Sequence, residues 1–267
     1  MRGFLFVLQI TDDRFPMEDS VPVPRLLVSV RSPAEALAAV SGGAAIIDVK
    51  EPLNGPLGMA SAEVCRSVAD SLVQCPSPPP LSLALGELRE WQRDPSASDR
   101  GDELRLLTSA LPGLTWLKCG LAGCRGNSNW VTRWMRFRES LPGPIGWVAV
   151  AYADAERAAA PDVAAVLQAA LETRAAAILI DTFVKDQTRL FDWLPSEQLR
   201  RLCQASQAAG LPVALAGRLS MEDIPELLGI GPEIMAVRGA ACTGNNRVES
   251  VCVQRVSELT RRLGAGE

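Results

Sequence analysis

Short apolar runs alternate with longer amphipathic segments along the chain from Arg25 onward. The apolar runs contain few polar positions, which is typical of parallel strands covered on both faces. Several amphipathic segments open at a helix-capping residue, as at Ser32 and Ser61. Eight such units predict α/β architecture and a single (β/α)8 TIM barrel. The predicted strands are 26–30, 45–49, 81–85, 114–117, 145–151, 176–180, 211–215 and 233–237, and the predicted helices are 34–40, 62–73, 102–111, 130–141, 161–172, 196–209, 221–228 and 251–263.

An open doubly wound sheet is the alternative fold. It would need a Gly-x-Gly-x-x-Gly loop after an early strand, and the sequence has none. Residues 1–24 lie outside the repeating pattern and end in Val21-Pro22-Val23-Pro24, which cannot continue a helix. We therefore expect a short N-terminal extension, 1–24, followed by a catalytic barrel domain, 25–267.

Composition narrows the classes of function. The 267 residues carry a net charge of −4, so there is no excess of basic residues that would indicate nucleic-acid binding. No apolar run is long enough to span a bilayer, and we expect a cytoplasmic protein with a small-molecule substrate. Seven scattered cysteines form no Cys-x-x-Cys pair and the chain has no histidine, so neither a disulfide framework nor a zinc site is expected. Whether the chain forms a homo-oligomer stays open.

Lysine is the rare residue type of this chain. It occurs only as Lys50, Lys118 and Lys185, against 24 arginines, and all three positions are predicted to follow strands. The C-terminal ends of barrel strands build the active site, so these lysines should converge there. Lysine, unlike arginine, becomes a nucleophile or base once burial or a nearby ammonium lowers its pKa. Such an amine can form a Schiff base with a carbonyl, with Asp48 and Asp181 orienting the amines.

The remaining strand ends supply candidate substrate-binding residues. The loops after the seventh and eighth strands carry Gly217-Arg218 and Arg238-Gly239, where barrels often bind phosphate on backbone N–H groups. Glu87, Tyr152 and Asp154 follow the third and fifth strands and are further candidates. Together with the lysines, these loops indicate a phosphorylated aldehyde or ketone as substrate.

Specific motifs are spread over most of the strand ends, from about Arg25 to the C-terminus. They include Ile47-Asp48-Val49-Lys50-Glu51-Pro52, Ala84-Leu85-Gly86-Glu87, Leu117-Lys118-Cys119-Gly120, Ala151-Tyr152-Ala153-Asp154, Ile180-Asp181-Thr182-Phe183-Val184-Lys185-Asp186, Leu215-Ala216-Gly217 and Val237-Arg238-Gly239-Ala240. In these motifs the chain resembles the (5-formylfuran-3-yl)methyl phosphate synthases of methanofuran biosynthesis. One departure is Arg218, which stands where a small residue such as serine is expected.

The resemblance implies a carbon–oxygen lyase that joins two glyceraldehyde 3-phosphate molecules, losing phosphate and water to form a furan phosphate. It implies Lys50 as the Schiff-base lysine and Lys118 as the proton acceptor. Asp48, Asp181 and Lys185 would assist, without a metal or an organic cofactor.

Two other functions stay open at the level of sequence. One is a different Schiff-base aldolase of phosphorylated sugars, of the deoxyribose-phosphate type, which product analysis would separate. The other is a barrel that binds a phosphorylated ligand without turnover. That interpretation predicts a missing catalytic lysine, and all three lysines are present.

Overall fold

A computed structural model describes residues 23–91 and 99–264. Eight parallel strands form a closed barrel in chain order, and β8 pairs with β1 to complete the ring. The predicted TIM barrel is therefore confirmed. Residues 1–22 of the expected N-terminal extension lie outside the described residues. The strands are β1 Arg25–Val30, β2 Ile46–Val49, β3 Leu81–Glu87, β4 Leu114–Gly120, β5 Gly146–Tyr152, β6 Ala177–Asp181, β7 Val213–Leu215 and β8 Ile234–Val237.

Helices follow the strands and cover the outside of the barrel. In the described ranges they are α1 Pro33–Ser41, α2 Ala62–Val73, α3 Asp99–Ala110, α4 Trp130–Glu139, α5 Val163–Glu172, α6 Leu190–Trp193, α7 Ser196–Ala208, α8 Ile224–Ile230 and α9 Val253–Gly264. None of these helices is long and apolar enough to cross a membrane.

Local sequence explains how several helices begin. The Ser32 hydroxyl accepts a hydrogen bond from the Glu35 N–H at 3.3 Å, and Pro33 occupies the first helical turn of α1. The Ser61 hydroxyl caps α2 in the same way, on the Val64 N–H at 3.2 Å. Helix α7 begins at Ser196, and Pro195 precedes it without a side-chain cap.

The core has two parts, which together leave a polar layer at one end of the barrel. Side chains between sheet and helices form the larger part, including Trp134, Phe137 and Trp147, whose rings pack against one another. Apolar side chains such as Leu27 and Ile46 fill the barrel interior. At the C-terminal ends of the strands this filling gives way to buried polar side chains, among them Ser29, Asp48, Ser82, Lys118 and Asp181.

Several element bounds differ from the sequence prediction by a few residues, and three differences are larger in consequence. Strand β4 continues to Gly120, so Lys118 lies inside the strand and not after it. The predicted helix 221–228 is a 3-10 turn, Met221–Asp223, followed by the short α8. The four-residue α6 was not predicted at all.

Candidate active site

A cavity of about 460 Å³ opens at the C-terminal end of the barrel. Residues of β1, β2, β4, β6 and β8 line it, together with the loops after several strands, and all three lysines are among the lining residues. Asp48 and Asp181 line the same cavity. The structure thus brings together five residues that were predicted from positions far apart in the chain.

Lys118 is paired with Asp48 inside the barrel. Its Nζ donates to Asp48 Oδ1 at 2.5 Å and to Ser82 Oγ at 3.3 Å, while Ser29 Oγ donates to the other carboxylate oxygen at 3.0 Å. Burial alone would raise the pKa of Asp48, but the charges of Lys118 and Lys50 outweigh it and lower that pKa. Asp48 is therefore ionised, and Lys118 has a fixed counterion.

Lys185 has an equivalent partner in Asp181 at the end of β6. Its Nζ donates to Asp181 Oδ1 at 2.7 Å and to Thr182 Oγ1 at 3.3 Å. The same carboxylate oxygen accepts the Thr182 N–H at 2.8 Å. Burial opposes ionisation, but the charges of Lys185 and Lys50 lower the pKa of Asp181.

Lys50 differs from the other two lysines because it has no counterion of its own. It follows β2 directly, is 9% exposed, and its Nζ makes no hydrogen bond or ion pair with any described residue. Burial lowers the pKa of Lys50 to about 8, assisted by the positive charges of Lys185 and Lys118, while Asp181 and Asp48 act in the opposite direction. A substantial fraction of neutral amine is therefore present slightly above neutral pH.

The loops after β7 and β8 form a second feature of the cavity, suited to an anion. Gly217 has φ of 108°, and a Cβ there would lie 3.1 Å from the Thr182 side chain, so this position favours glycine. Gly239 and Ala240 begin a 3-10 turn and have N–H groups without a partner inside it. Gly217, Gly239 and Ala240 all line the cavity. These backbone donors can hold a phosphate.

Arg218 reaches the cavity from the β7 loop. Its guanidinium donates to the Asp186 carbonyl and, at 2.6 Å, to Gln187 Oε1. It has no carboxylate partner in the described segments, so its charge faces the cavity without a counterion.

Arg238 was predicted to bind phosphate, but in the structure its guanidinium binds Glu35 and backbone carbonyls. Two carboxylate contacts to Glu35, at 2.5 and 3.0 Å, use two of its donors. The carbonyls of Ser29, Arg247 and Glu249 accept the other three, each at 2.9 Å. An arginine has five N–H donors, so none is left for a ligand. Arg238 joins β1, α1 and the β8 loop.

Glu87, Tyr152 and Asp154 were predicted to bind substrate but do not line the cavity. The Tyr152 hydroxyl, on a fully buried side chain, donates to Glu87 at 2.6 Å. The second Glu87 oxygen accepts the Ala122 N–H at 2.8 Å. Burial raises the pKa of Glu87 and also that of Tyr152. This pair satisfies buried polar groups next to the site and has no open face for a ligand.

Asp154 acts on the loop that carries Lys185. Its two carboxylate oxygens accept the N–H groups of Phe183 at 2.6 Å and Val184 at 3.0 Å. The Asp154 side chain is 1% exposed, while Phe183 and Val184 are half-buried. Asp154 therefore positions the β6 loop and does not contact a ligand in the cavity.

Sequence reasoning missed Ser29, Ser82 and Arg247. The two serines lie on neighbouring strands, and only the barrel register shows that they flank Asp48. Arg247 lies in the loop after β8 and lines the cavity. Its position beyond a strand end was a usable signal, but the chain has 24 arginines and nothing local distinguishes this one.

Fold and site together define a TIM-barrel protein whose cavity is lined by a buried lysine without a carboxylate contact among the described residues and by two glycine-containing loops. A model of the 4-HFC-P synthase family matches residues 26–260, and the chain belongs to that family. The (5-formylfuran-3-yl)methyl phosphate synthase of Methanopyrus kandleri is 35% identical over 88% of this chain and 98% of its own length. The Methanococcus maripaludis protein of that name is 33% identical over 84% of this chain and 92% of its own. These relatives are synthases, and the chain is an enzyme of their family.

Solved structures support the fold alone. The 3-hexulose-6-phosphate synthase of Salmonella typhimurium aligns with a TM-score of 0.59 at 13% identity, over 91% of this chain and 100% of its own. The phosphoribosyl anthranilate isomerase of Thermus thermophilus aligns with a TM-score of 0.56 at 15% identity, over 91% of this chain and 100% of its own.

Proposed function

We propose that the protein is a (5-formylfuran-3-yl)methyl phosphate synthase that acts through a Schiff base at Lys50. The observation that carries the mechanism is the contrast between the lysines. Lys118 and Lys185 each contact a carboxylate, whereas Lys50 has none and its pKa is lowered to about 8. Only Lys50 combines a buried position with a readily available neutral amine, which a nucleophile toward a carbonyl requires.

The substrate we propose is glyceraldehyde 3-phosphate, taken twice. Two of these three-carbon molecules contain the atoms of one furan aldehyde phosphate, one phosphate and two waters. The reaction is therefore a condensation with eliminations, needs no oxidant or reductant, and is a carbon–oxygen lyase reaction on phosphate esters.

The first steps use Lys50 and Lys118. The neutral Lys50 amine attacks the carbonyl carbon, a C–N bond forms, and the resulting hydroxyl leaves as water after taking a proton. Lys118 begins as an ammonium against Asp48, so it can donate that proton. Once neutral, Lys118 can accept a proton from the carbon next to the iminium, which gives an enamine. Asp48 remains beside it as a fixed negative charge.

The later steps use Lys185 and Asp181. The enamine then expels the phosphate of its own molecule by C–O cleavage, and the terminal carbon of the resulting enol attacks the carbonyl of the second molecule, which reacts in its ketone form. The Lys185 ammonium can protonate the new alkoxide. Ring closure with loss of two waters forms the furan, and hydrolysis of the imine frees Lys50. The backbone donors of Gly217 and Gly239 would hold one phosphate during these steps.

The test is product analysis with glyceraldehyde 3-phosphate. We expect furan absorbance and released phosphate to appear in equal amounts, and Lys50→Met to abolish both. An aldol product without furan, formed from the same substrate, would contradict the synthase and support a different Schiff-base aldolase.

A further inference from the structure

The balance of charge around the cavity is the starting point. Seven cationic side chains line it, and four of them contact a carboxylate. The pairs are Lys118 with Asp48, Lys185 with Asp181, Arg189 with Asp223 and Arg238 with Glu35. In the described part of the chain, the lining cations without such a partner are Lys50, Arg218 and Arg247.

The two unpaired arginines lie in different loops that line the cavity. Arg218 follows β7, next to the Gly217 loop. Arg247 follows β8, and its side chain reaches the loop after β2, where it donates to the Pro52 carbonyl at 3.3 Å. That is its one side-chain hydrogen bond to a described residue, so four of its five N–H donors remain for a ligand.

The backbone that carries Arg247 is held by other arginines. Arg238 donates to the carbonyls of Arg247 and Glu249, both at 2.9 Å, and Arg31 donates to the Val248 carbonyl between them at 2.7 Å. Three successive carbonyls are thus fixed, and Arg238 is itself bound to Glu35 and β1. A guanidinium that is half-buried and has spare donors is therefore presented from a well-anchored loop.

We propose that Arg247 binds the phosphate of the second triose phosphate, the molecule whose carbonyl is attacked. This inference rests on the proposed function, because that reaction brings two phosphate groups into one cavity. Two dianions need two separate cationic sites, and the cavity has two arginines without a counterion. The backbone of Gly217 and Gly239 with Arg218 holds the phosphate of the molecule bound to Lys50, while the Arg247 side chain, directed toward the Pro52 loop, binds the other. A guanidinium suits this task because it can bind phosphate oxygens bidentately.

The test measures the two substrate molecules separately. Borohydride trapping of glyceraldehyde 3-phosphate at Lys50 reports the first molecule, and the initial rate of furan formation depends on both. We compare wild type with Arg247→Met and Arg247→Lys. Arg125→Met is the matched control, because Arg125 is an exposed arginine that pairs with Glu156 and does not line the cavity.

We expect Arg247→Met to keep the wild-type thermal midpoint and to trap substrate at Lys50 with an unchanged half-saturating concentration. The substrate concentration that half-saturates furan formation should rise about 10- to 100-fold, the usual scale for a lost hydrogen bond to a charged group. Arg247→Lys should recover part of the loss, and Arg125→Met should behave as wild type.

Three results would overturn the inference. If trapping weakens in parallel with furan formation, Arg247 serves the first molecule. If neither readout changes in Arg247→Met, the side chain only supports the Pro52 loop. If wild-type protein traps no substrate at Lys50 and forms no furan, the proposed function fails and the inference fails with it, whereas the first two results leave the proposed function intact.

Discussion

At the scale of single residues, the partners of the lysines decide their chemistry. A buried ammonium beside a carboxylate keeps its proton, because the pair stabilises the charged form. Lys118 and Lys185 have such partners at 2.5 and 2.7 Å, and Lys50 has none. In the mechanism we propose, three residues of one type thus act as nucleophile, acid–base group and acid within one cavity.

The pH dependence of imine formation follows from Lys50. Its pKa is lowered to about 8, so the neutral amine fraction rises about tenfold per pH unit below that value and levels off above it. We expect the rate of borohydride-dependent inactivation by glyceraldehyde 3-phosphate to follow this curve, with a midpoint near pH 8. A midpoint close to the ordinary lysine value of 10.5 would contradict the assignment.

Lys118→Arg separates trapping from turnover. Arginine keeps a positive charge next to Asp48, but it cannot exchange a proton at working pH. We expect the variant to fold and to trap substrate at Lys50, while furan formation falls by about 100-fold or more, the usual scale for a lost general acid–base group. Near-normal turnover would show that Lys118 is an electrostatic anchor and that the base is elsewhere.

At the scale of elements, loops from neighbouring strands position the site. Asp154 at the end of β5 holds the backbone of Phe183 and Val184, and Lys185 follows in that loop. Arg238 at the end of β8 does the same for the loop that carries Arg247. These two residues were expected to contact substrate. In the structure they hold the loops that carry Lys185 and Arg247.

Asp154→Asn tests this positioning role. The amide keeps one acceptor but turns an NH₂ group toward the second backbone N–H, so one half-buried donor loses its partner. We expect the free energy of unfolding to fall by about 1–3 kcal/mol. The ratio of furan formation to Lys50 trapping should also fall, because Lys185 loses its alignment. Asp162→Asn is the matched control, since Asp162 caps α5 and asparagine caps helices equally well. Equal behaviour of the two variants would contradict the positioning role.

The strands and helices of the barrel could be predicted from the sequence better than the side-chain contacts of the site. Alternating apolar runs located eight strands to within a few residues, because strands buried on both faces have a simple pattern. The end of β4 was misplaced because Lys118 breaks the apolar pattern, and its burial is compensated by Asp48 from β2 and Ser82 from β3. Arg238 and Arg247 were misassigned or missed because their partners lie far away in sequence, on β1, α1 and the β2 loop. Such contacts arise from barrel closure, which no local pattern records.

At the scale of the whole molecule, charge is distributed unevenly. The chain has a net charge of −4, yet seven cations and only three carboxylates line the cavity. This separation attracts anionic substrates toward the C-terminal end of the barrel. This arrangement lowers the stability of the folded protein, because a buried ammonium such as Lys50 destabilises the native state.

Lys50→Met should therefore increase stability in a pH-dependent way. The pKa of Lys50 is lowered from 10.5 to about 8, which corresponds to about 3 kcal/mol against the folded state. Below pH 8 both states hold the proton and the full cost applies. Between pH 8 and 10.5 the unfolded state holds the proton longer, so wild-type stability rises with pH and the cost disappears. We expect Lys50→Met to unfold at higher denaturant concentration at about pH 7, with a smaller advantage at about pH 9.5; no difference near pH 7 would contradict it.

The most direct test of the account is the site of covalent attachment. Wild-type protein is incubated with glyceraldehyde 3-phosphate and borohydride, digested, and analysed by peptide mass spectrometry. We predict that the added mass lies on Lys50 alone, that it is absent without substrate, and that Lys118→Arg keeps it. Labelling of Lys118 or Lys185 in place of Lys50 would contradict the central claim that the lysine without a counterion is the nucleophile.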